Sequence, residues 1–516
     1  MHTYFIESMK KIGYTLIVFF ITISITIVAQ PKKREMRAVW IATVANIDWP
    51  SQNGLTSQQQ REEMRTMLDS LQKNNINTII LQIRPTADAI YPSALEPWSS
   101  WLTGKQGQKP NPYYDPLQFI IDEAHRRCME VHAWLNPYRV TNSDNIRQLS
   151  KDHLYFKNKD LFIKYGGKYY FNPGLDETRI FLNRVVEDVV EHYDIDAIHF
   201  DDYFYPYRVG NEEFPDDATF KQFPRGFAPN QKDDWRRNNV NMIISELHET
   251  IKNLKPWVQF GVSPFGVWRN SNVDPRGSNT RAGVQNYDDL YADVLKWLKE
   301  GTIDYVVPQL YWEIGKKVAD YDVLVKWWSE NSYGKNLYIG LYASQLGQRE
   351  ANAAWRNGNE VIRQLNLNTH YPQVDGAVFF SARGFLQNKQ GLLDSLKHGL
   401  YKYPSIQPFN RNIQGEASAQ PQNIRILRDG KDAYLLWDEV NEEGGCATAY
   451  YIVYAFKGKK VGDMNNPANI LVRTTENCVN LRELGQKIRG NYTFVVTALN
   501  RYKYESIPTY GVTRRM

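Results

Sequence analysis

The sequence predicts an α/β fold: a (β/α)8 TIM barrel over residues 33–400, then a small all-β sandwich over residues 423–516. Three observations carry this expectation. Eight short apolar runs alternate with amphipathic stretches of helical spacing, the pattern of repeated β–α units. The apolar runs end in polar or aromatic residues, as barrel strands do where their carboxyl ends build a site. After Leu400 the texture changes, and short alternating runs without helical spacing follow a Pro-containing polar segment.

The expected strands are 37–43, 78–83, 130–135, 197–200, 258–262, 305–310, 337–341 and 376–380. Between them, apolar positions recur at helical spacing over 58–74, 116–129, 177–193, 235–254, 287–299, 321–331 and 351–366. Asp115 followed by Pro116 reads as a helix cap and a first-turn proline. A doubly wound open sheet is the competing architecture. It would usually carry a Gly-rich phosphate loop after its first strand, and residues 43–49 have none.

Residues 401–422 read as a linker, with Pro404, Pro408 and a polar run to Gln422. Roughly seven short strands are expected after it. Trp437 and the run Tyr450-Tyr-Ile-Val-Tyr454 resemble a fibronectin type III domain, a widespread module that implies no activity by itself.

Composition narrows the class. Charged residues are 23% and hydrophobic residues 42%, a globular balance. The net charge of +5 is spread without a basic block, so no nucleic-acid partner is expected. Lys10-Lys11, an apolar run to about Val28 and then Ala29 describe a secretory signal peptide over residues 1–29. No Cys follows that run, so lipid attachment there is not expected. The mature chain is expected to be exported, periplasmic or secreted, without stable membrane insertion. Cys128, Cys446 and Cys478 are too few for a disulfide scaffold, although Cys446 and Cys478 could pair.

The chemistry is expected at the strand ends. The segment Asp196-Ala-Ile-His-Phe-Asp-Asp-Tyr-Phe-Tyr-Pro206 runs from a buried strand straight into two acids and an aromatic cluster. Acids at such a place are costly unless paired, liganded or functional. Alternation puts His199, Asp201 and Tyr203 on one face and Asp202 on the other. By the same rule Gln309, Tyr311 and Glu313 share a face of the sixth strand. Paired carboxylates without a phosphate loop or metal-binding spacing suit glycoside cleavage, where one acid protonates the leaving oxygen and the other attacks or activates water.

Asp201, Asp202 and Glu313 are therefore the catalytic candidates, with Asp201 as nucleophile or charge stabiliser and Glu313 or Asp202 as general acid. Arg84, Gln82, Asp88, Asn136, Tyr138, His199, Tyr203, Tyr311 and Trp312 are the substrate-binding candidates, with Arg84 also able to hold one carboxylate ionised. Neither a metal nor a cofactor is expected, since no His-x-His or His-Glu-x-x-His spacing occurs. A metal-assisted hydrolase and a catalytically inactive glycan-binding barrel are the alternatives from other classes.

Six motifs in order resemble the glycosyl-hydrolase-like 10 family of bacterial envelope proteins. They are Met36-Arg-Ala-Val-Trp-Ile-Ala-Thr, Gln82-Ile-Arg-Pro-Thr-Ala-Asp-Ala-Ile-Tyr91, His132-Ala-Trp-Leu-Asn-Pro-Tyr138, His199-Phe-Asp-Asp-Tyr-Phe-Tyr-Pro206, Gly261-Val-Ser-Pro-Phe-Gly266 and Pro308-Gln-Leu-Tyr-Trp312. The resemblance covers residues 33–400 and implies a (β/α)8 barrel. It also implies a glycosidase acting on an envelope glycan, because the family includes a lipoprotein that cleaves peptide-free peptidoglycan strands. It makes Asp201-Asp202 the favoured catalytic position. A host or dietary polysaccharide is the competing substrate.

Overall fold

The computed structural model describes residues 31–356, 359–484 and 489–515. The signal-peptide expectation falls on residues 1–29, outside the described residues. Eight parallel strands close a barrel: β1 (Met36–Ile41), β2 (Thr78–Arg84), β3 (Glu130–Leu135), β6 (Ala197–Phe200), β7 (Gln259–Val262), β8 (Tyr305–Val306), β9 (Asn336–Leu341) and β10 (Val374–Phe379). They follow one another around the barrel, with β10 paired to β1. Every residue of β1, β2, β3, β6 and β7 is buried. Helices cover the outer face of the strands and side chains fill the inside, so such strands read as apolar runs.

The helices begin where the sequence says they should. Thr56 and Gln59 form a reciprocal capping box for Ser57–Lys73, and the Asp115 carboxylate accepts from the backbone of Leu117 and Gln118 ahead of Pro116–Arg126. The expected helix over 287–299 is two short ones, Asn286–Asp289 and Val294–Glu300. Tyr291 between them sits at φ 54°, and the Asp293 carboxylate caps the second by accepting from the Lys296 amide. The helix expected over 351–366 runs Asn359–Asn368 instead.

One hairpin, β4 (Phe162–Tyr165) with β5 (Lys168–Phe171), has no counterpart in the sequence reading. Its two-residue turn is Gly166-Gly167, at φ 54° and 72°. Both signs are positive, as the turns that match strand twist require.

The barrel interior is packed around a column of polar rings. A Cβ at Gly261 would stand 2.0 Å from the Tyr305 ring, so only glycine on β7 leaves room for that tyrosine. Trp40 donates to His199 Nε2 (3.3 Å), which makes Nδ1 the protonated nitrogen, donating to the Tyr305 hydroxyl (3.0 Å). Tyr305 in turn donates to His132 Nδ1 (2.8 Å), whose Nε2 faces Glu130 (3.2 Å). Both ring nitrogens of His199 and His132 and the Tyr305 hydroxyl are partnered along this run, which lets these three residues sit at zero exposure.

Among the described residues, seven strands form the C-terminal all-β unit. A three-stranded antiparallel sheet orders β11 (Arg425–Asp429), β12 (Asp432–Leu436) and β15 (Cys478–Asn480). A four-stranded one orders β14 (Ile470–Thr474), β13 (Thr448–Lys457), β16 (Asn491–Asn500) and β17 (Val512–Arg515). Leu435, Trp437, Tyr451, Val453 and Val496 share one core. The other face of β13 and β16 packs Ile452, Tyr454 and Val495 with Ile406 and the barrel's Cys128. Lys503 is buried in an ion pair with Glu130 and, at 3.3 Å, with Asp196. Both acids stand at the amino ends of barrel strands, so this unit closes the end of the barrel opposite its strand carboxyl ends. Cys446 and Cys478, which could have paired, are free thiols, as is Cys128.

Candidate active site

The carboxyl ends of the strands surround a cavity of about 350 Å³, within the size range of small-ligand sites. Asp201 and Asp202 line it, with Gln82, Asn136, Tyr203, Tyr311 and Trp312. β6 ends at Phe200, so the alternation expected to separate Asp202 from Asp201 no longer applies, and both acids enter the same cavity.

Three donors fix Asp201. Asn136 Nδ2 (2.6 Å) and Trp134 Nε1 (3.2 Å) donate to its Oδ2, and the Tyr203 amide donates to Oδ1 (3.2 Å). Asn136 is itself held, because Gln82 Nε2 donates to its Oδ1 (2.7 Å). Gln82 Oε1 accepts from the amides of Thr43 (3.0 Å) and Val44 (2.9 Å). The ends of β1, β2, β3 and β6 thus form one hydrogen-bonded relay that orients a single carboxylate. Asp202 receives the Tyr207 hydroxyl.

Burial, and next the adjacent Asp202 charge, push Asp201 up to about 7 against the opposing pull of Arg139. Burial raises Asp202 as well, opposed by the Tyr207 hydrogen bond. Neighbouring acids of this kind titrate as a pair and retain a shared proton well above the ordinary carboxylate range. The pair loses its shared proton as pH rises through about 7, and if that proton serves the reaction kcat/KM is expected to fall there. Stability should fall with it. A carboxyl raised from 3.8 is still protonated in the folded state when the unfolded chain has already released its proton, so stability declines between 3.8 and about 7. Asp201→Asn should therefore raise Tm at pH 8 relative to the parent, a difference that shrinks toward pH 4; thermal denaturation across pH checks it.

Several candidates stand elsewhere. Arg84 is fully buried, and both its Nε (2.7 Å) and Nη2 (2.6 Å) are committed to Glu96, with Nη1 on the carbonyls of Asn136 and Pro137. It braces the wall behind Asn136 and does not reach the cavity. Asp88 is a buried loop brace, accepting from Thr86 and Gln106. Tyr138 belongs to the barrel–helix core. His199 lies beneath the cavity in the polar column, and burial, with His132 beside it, holds it neutral.

Glu313 is the largest correction. The strand expected to run to residue 310 ends at Val306, so Gln309 and Tyr311 turn into the cavity while Glu313 turns away. It accepts from Asn352 (2.7 Å) and Trp355 (3.1 Å) and pairs with Lys316 (3.3 Å). Its partial burial is outweighed by its own backbone amide, Trp355 and Lys316, which hold it below the usual range. An acid held ionised cannot donate a proton.

The sequence reading passed over Arg139, Trp40, Trp134 and Tyr207. Arg139 lies 3.9 Å from the centre of the Tyr203 ring, and its Nε is buried without a partner. Trp134 could have been found, since it shares a face of β3 with Asn136; Arg139 and Tyr207 lie in loops, where alternation gives no guide. Phe265 and Phe380 also line the cavity, and Tyr311 stacks on Tyr342 (4.9 Å, 28°). Among the described residues no cluster of three His, Cys, Asp or Glu is arranged to hold a metal.

The family model described as "Glycosyl hydrolase-like 10" matches residues 35–357. The chain belongs to that family. Over 506 residues it is 43% identical to glycosyl hydrolase YngK of Bacillus subtilis (strain 168), covering 97% of this chain and 98% of the relative. Glycosyl hydrolase DigH of Escherichia coli (strain K12) is 40% identical over 373 residues, 68% of this chain and 84% of its own. This family member is accordingly a glycoside hydrolase with a TIM-barrel catalytic domain. Among solved structures, the PgaB (BpsB) glycoside hydrolase domain from Bordetella bronchiseptica aligns at 12% identity and TM-score 0.47, over 70% of this chain and 98% of that one. The catalytic domain of a β-amylase from Paenibacillus polymyxa aligns at 12% and 0.46, over 72% and 99%.

Proposed function

We propose that this protein is an exported hydrolase of envelope glycan, acting on peptide-free peptidoglycan strands, with Asp202 as general acid and Asp201 as the charged partner. The observation that carries the reading is a pair of buried carboxylates sharing an aromatic-walled cavity at the carboxyl end of the barrel. The two carboxyls titrate as a pair, and when Asp202 carries the shared proton the three donors on Asp201 stabilise the charge left there. Tyr203, Tyr311 and Trp312 offer ring faces for sugar stacking. The resemblance of the six motifs to an envelope family supports the substrate, and the basic and apolar N-terminal run supports export.

The test is direct. The mature protein and Asp201→Asn are incubated with intact and with amidase-stripped peptidoglycan, and released products are identified by mass spectrometry. Sugar fragments from the stripped strands, lost in the variant, are expected. No product from either substrate would remove the peptidoglycan assignment, and cleavage of host or dietary polysaccharides instead would redirect it. Glu313→Gln, in contrast, should change kcat/KM by no more than about twofold, equivalent to the ~0.5 kcal/mol typical of positions outside a site. A large loss measured there would restore Glu313 to the mechanism.

A further inference from the structure

We infer that the enzyme displaces its leaving group with the substrate's own 2-acetamido oxygen, Asp201 orienting the amide and Asp202 acting first as acid and then as base. The site therefore selects 2-acetamido sugars. This rests on the glycan-hydrolase reading above and adds to it the nucleophile and the substrate class.

The argument starts from where the acids are. Among the described residues lining the cavity, only Asp201 and Asp202 bear carboxylates. They are consecutive and leave the end of one strand, so both reach the cavity from one wall. Glycosidases that use two carboxylates place them on opposite sides of the anomeric carbon, roughly 5–5.5 Å apart for a nucleophile or 6.5–9.5 Å for a water-activating base.

Among the described residues, the opposite wall holds no such group. In the barrel order β1-β10-β9-β8-β7-β6-β3-β2, the strand across from β6 is β10, flanked by β1 and β9. These present Phe380, Trp40 and Tyr342 to the cavity. Asp48, bonded to residues at the ends of those strands, is consumed by structure: it accepts from the Ala42 amide (2.8 Å), the Ser381 hydroxyl (2.6 Å) and the Arg383 amide (2.8 Å). Glu313 faces away, as described. A nucleophile must then come from the sugar. Substrate assistance by the neighbouring acetamide is the known exception to the two-carboxylate arrangement, and it needs two acids on one side. One acts on the leaving oxygen and the other accepts from the amide N–H.

The immobilised Asp201 suits the second task. An acceptor fixed by Asn136, Trp134 and the Tyr203 amide pays little reorganisation when the amide docks. In the first step the amide oxygen bonds to the anomeric carbon as the glycosidic C–O bond breaks. The leaving oxygen takes the Asp202 proton, and the amide N–H is held by ionised Asp201 as positive charge develops on the ring so formed. In the second step Asp202 carboxylate takes a proton from water, whose oxygen bonds to the anomeric carbon while the acyl oxygen departs. The acetamide is regenerated and the configuration at the anomeric carbon is retained.

The test uses the full mature chain and amidase-stripped strands that have been de-N-acetylated and then re-N-acylated with acetyl or with trifluoroacetyl groups. Fluorine withdraws electron density from the amide oxygen without altering the glycosidic bond. The trifluoroacetyl strands should be cut with kcat lowered at least ~10²-fold, the scale of losing one strong charge-stabilising interaction. The first product should show retention by NMR. Rates less than about tenfold apart, under ~1.4 kcal/mol in barrier, or an inverted product, would overturn the inference and leave the hydrolase reading standing. Failure to cut native and re-acetylated strands alike would overturn the reading and the inference together.

Discussion

Asp202→Asn is expected to lower kcat on stripped glycan strands by ~10²–10⁴-fold, the contribution of a positioned general acid, with the fold intact. Asn preserves the shape and can still accept from the Tyr207 hydroxyl, but it has no proton to give to the leaving oxygen. The loss should depend on the leaving group. Aryl glycosides that depart without protonation should lose much less than glycans, and a comparison of the two classes separates an acid from a residue that only shapes the cavity. KM should change little, since Asp202 contributes mainly when the bond breaks. A variant retaining near-parental turnover of glycan would remove Asp202 from the acid role.

Arg84→Met is expected to cost about 3–5 kcal/mol of stability, the penalty for stranding one member of a buried ion pair. The pair is unusually complete: Arg84 has no exposed side-chain surface, Glu96 has 2%, and two parallel hydrogen bonds join them. Removing the guanidinium leaves the Glu96 carboxylate buried and uncompensated, and frees the carbonyls of Asn136 and Pro137. A compensating Arg84→Met, Glu96→Leu double variant should recover much of the loss, because a well-packed apolar pair replaces a buried ionic one at little net cost. Chemical denaturation of the parent, the single and the double variants measures this. If the single variant is as stable as the parent while activity is lost, Arg84 acts on the substrate after all.

The two predictions mark the line between what alternation can locate and what it cannot. Asp201-Asp202, Gln82, Asn136, Tyr203, Tyr311 and Trp312 were legible because they stand at or just beyond strand ends, where a period of two and the barrel's polarity place side chains. Arg84 and Glu313 carry the same residue types at similar places, yet their partners lie 12 and 39–42 residues away, at Glu96, Asn352 and Trp355. A polar residue at a strand end has the same local signature whether it faces a substrate or a distant loop. Glu313 shows a second limit: the strand stops at Val306, so periodicity carried past its end assigned the wrong face.

The sequence by itself determined the barrel, the all-β C-terminal unit and the strand end that carries the acids. These follow from the spacing of apolar residues, caps and turns, which act over a few positions along the chain. Only the tertiary structure decided which acids are free for chemistry. It tied Asp48, Asp88, Glu96 and Glu313 to partners, held Asp201 with donors from β3 and the loop beyond it, and set Phe380, Trp40 and Tyr342 across from it. Burial and charge depend on what closes around a group, and in a closed barrel that surrounding comes from strands more than a hundred residues apart.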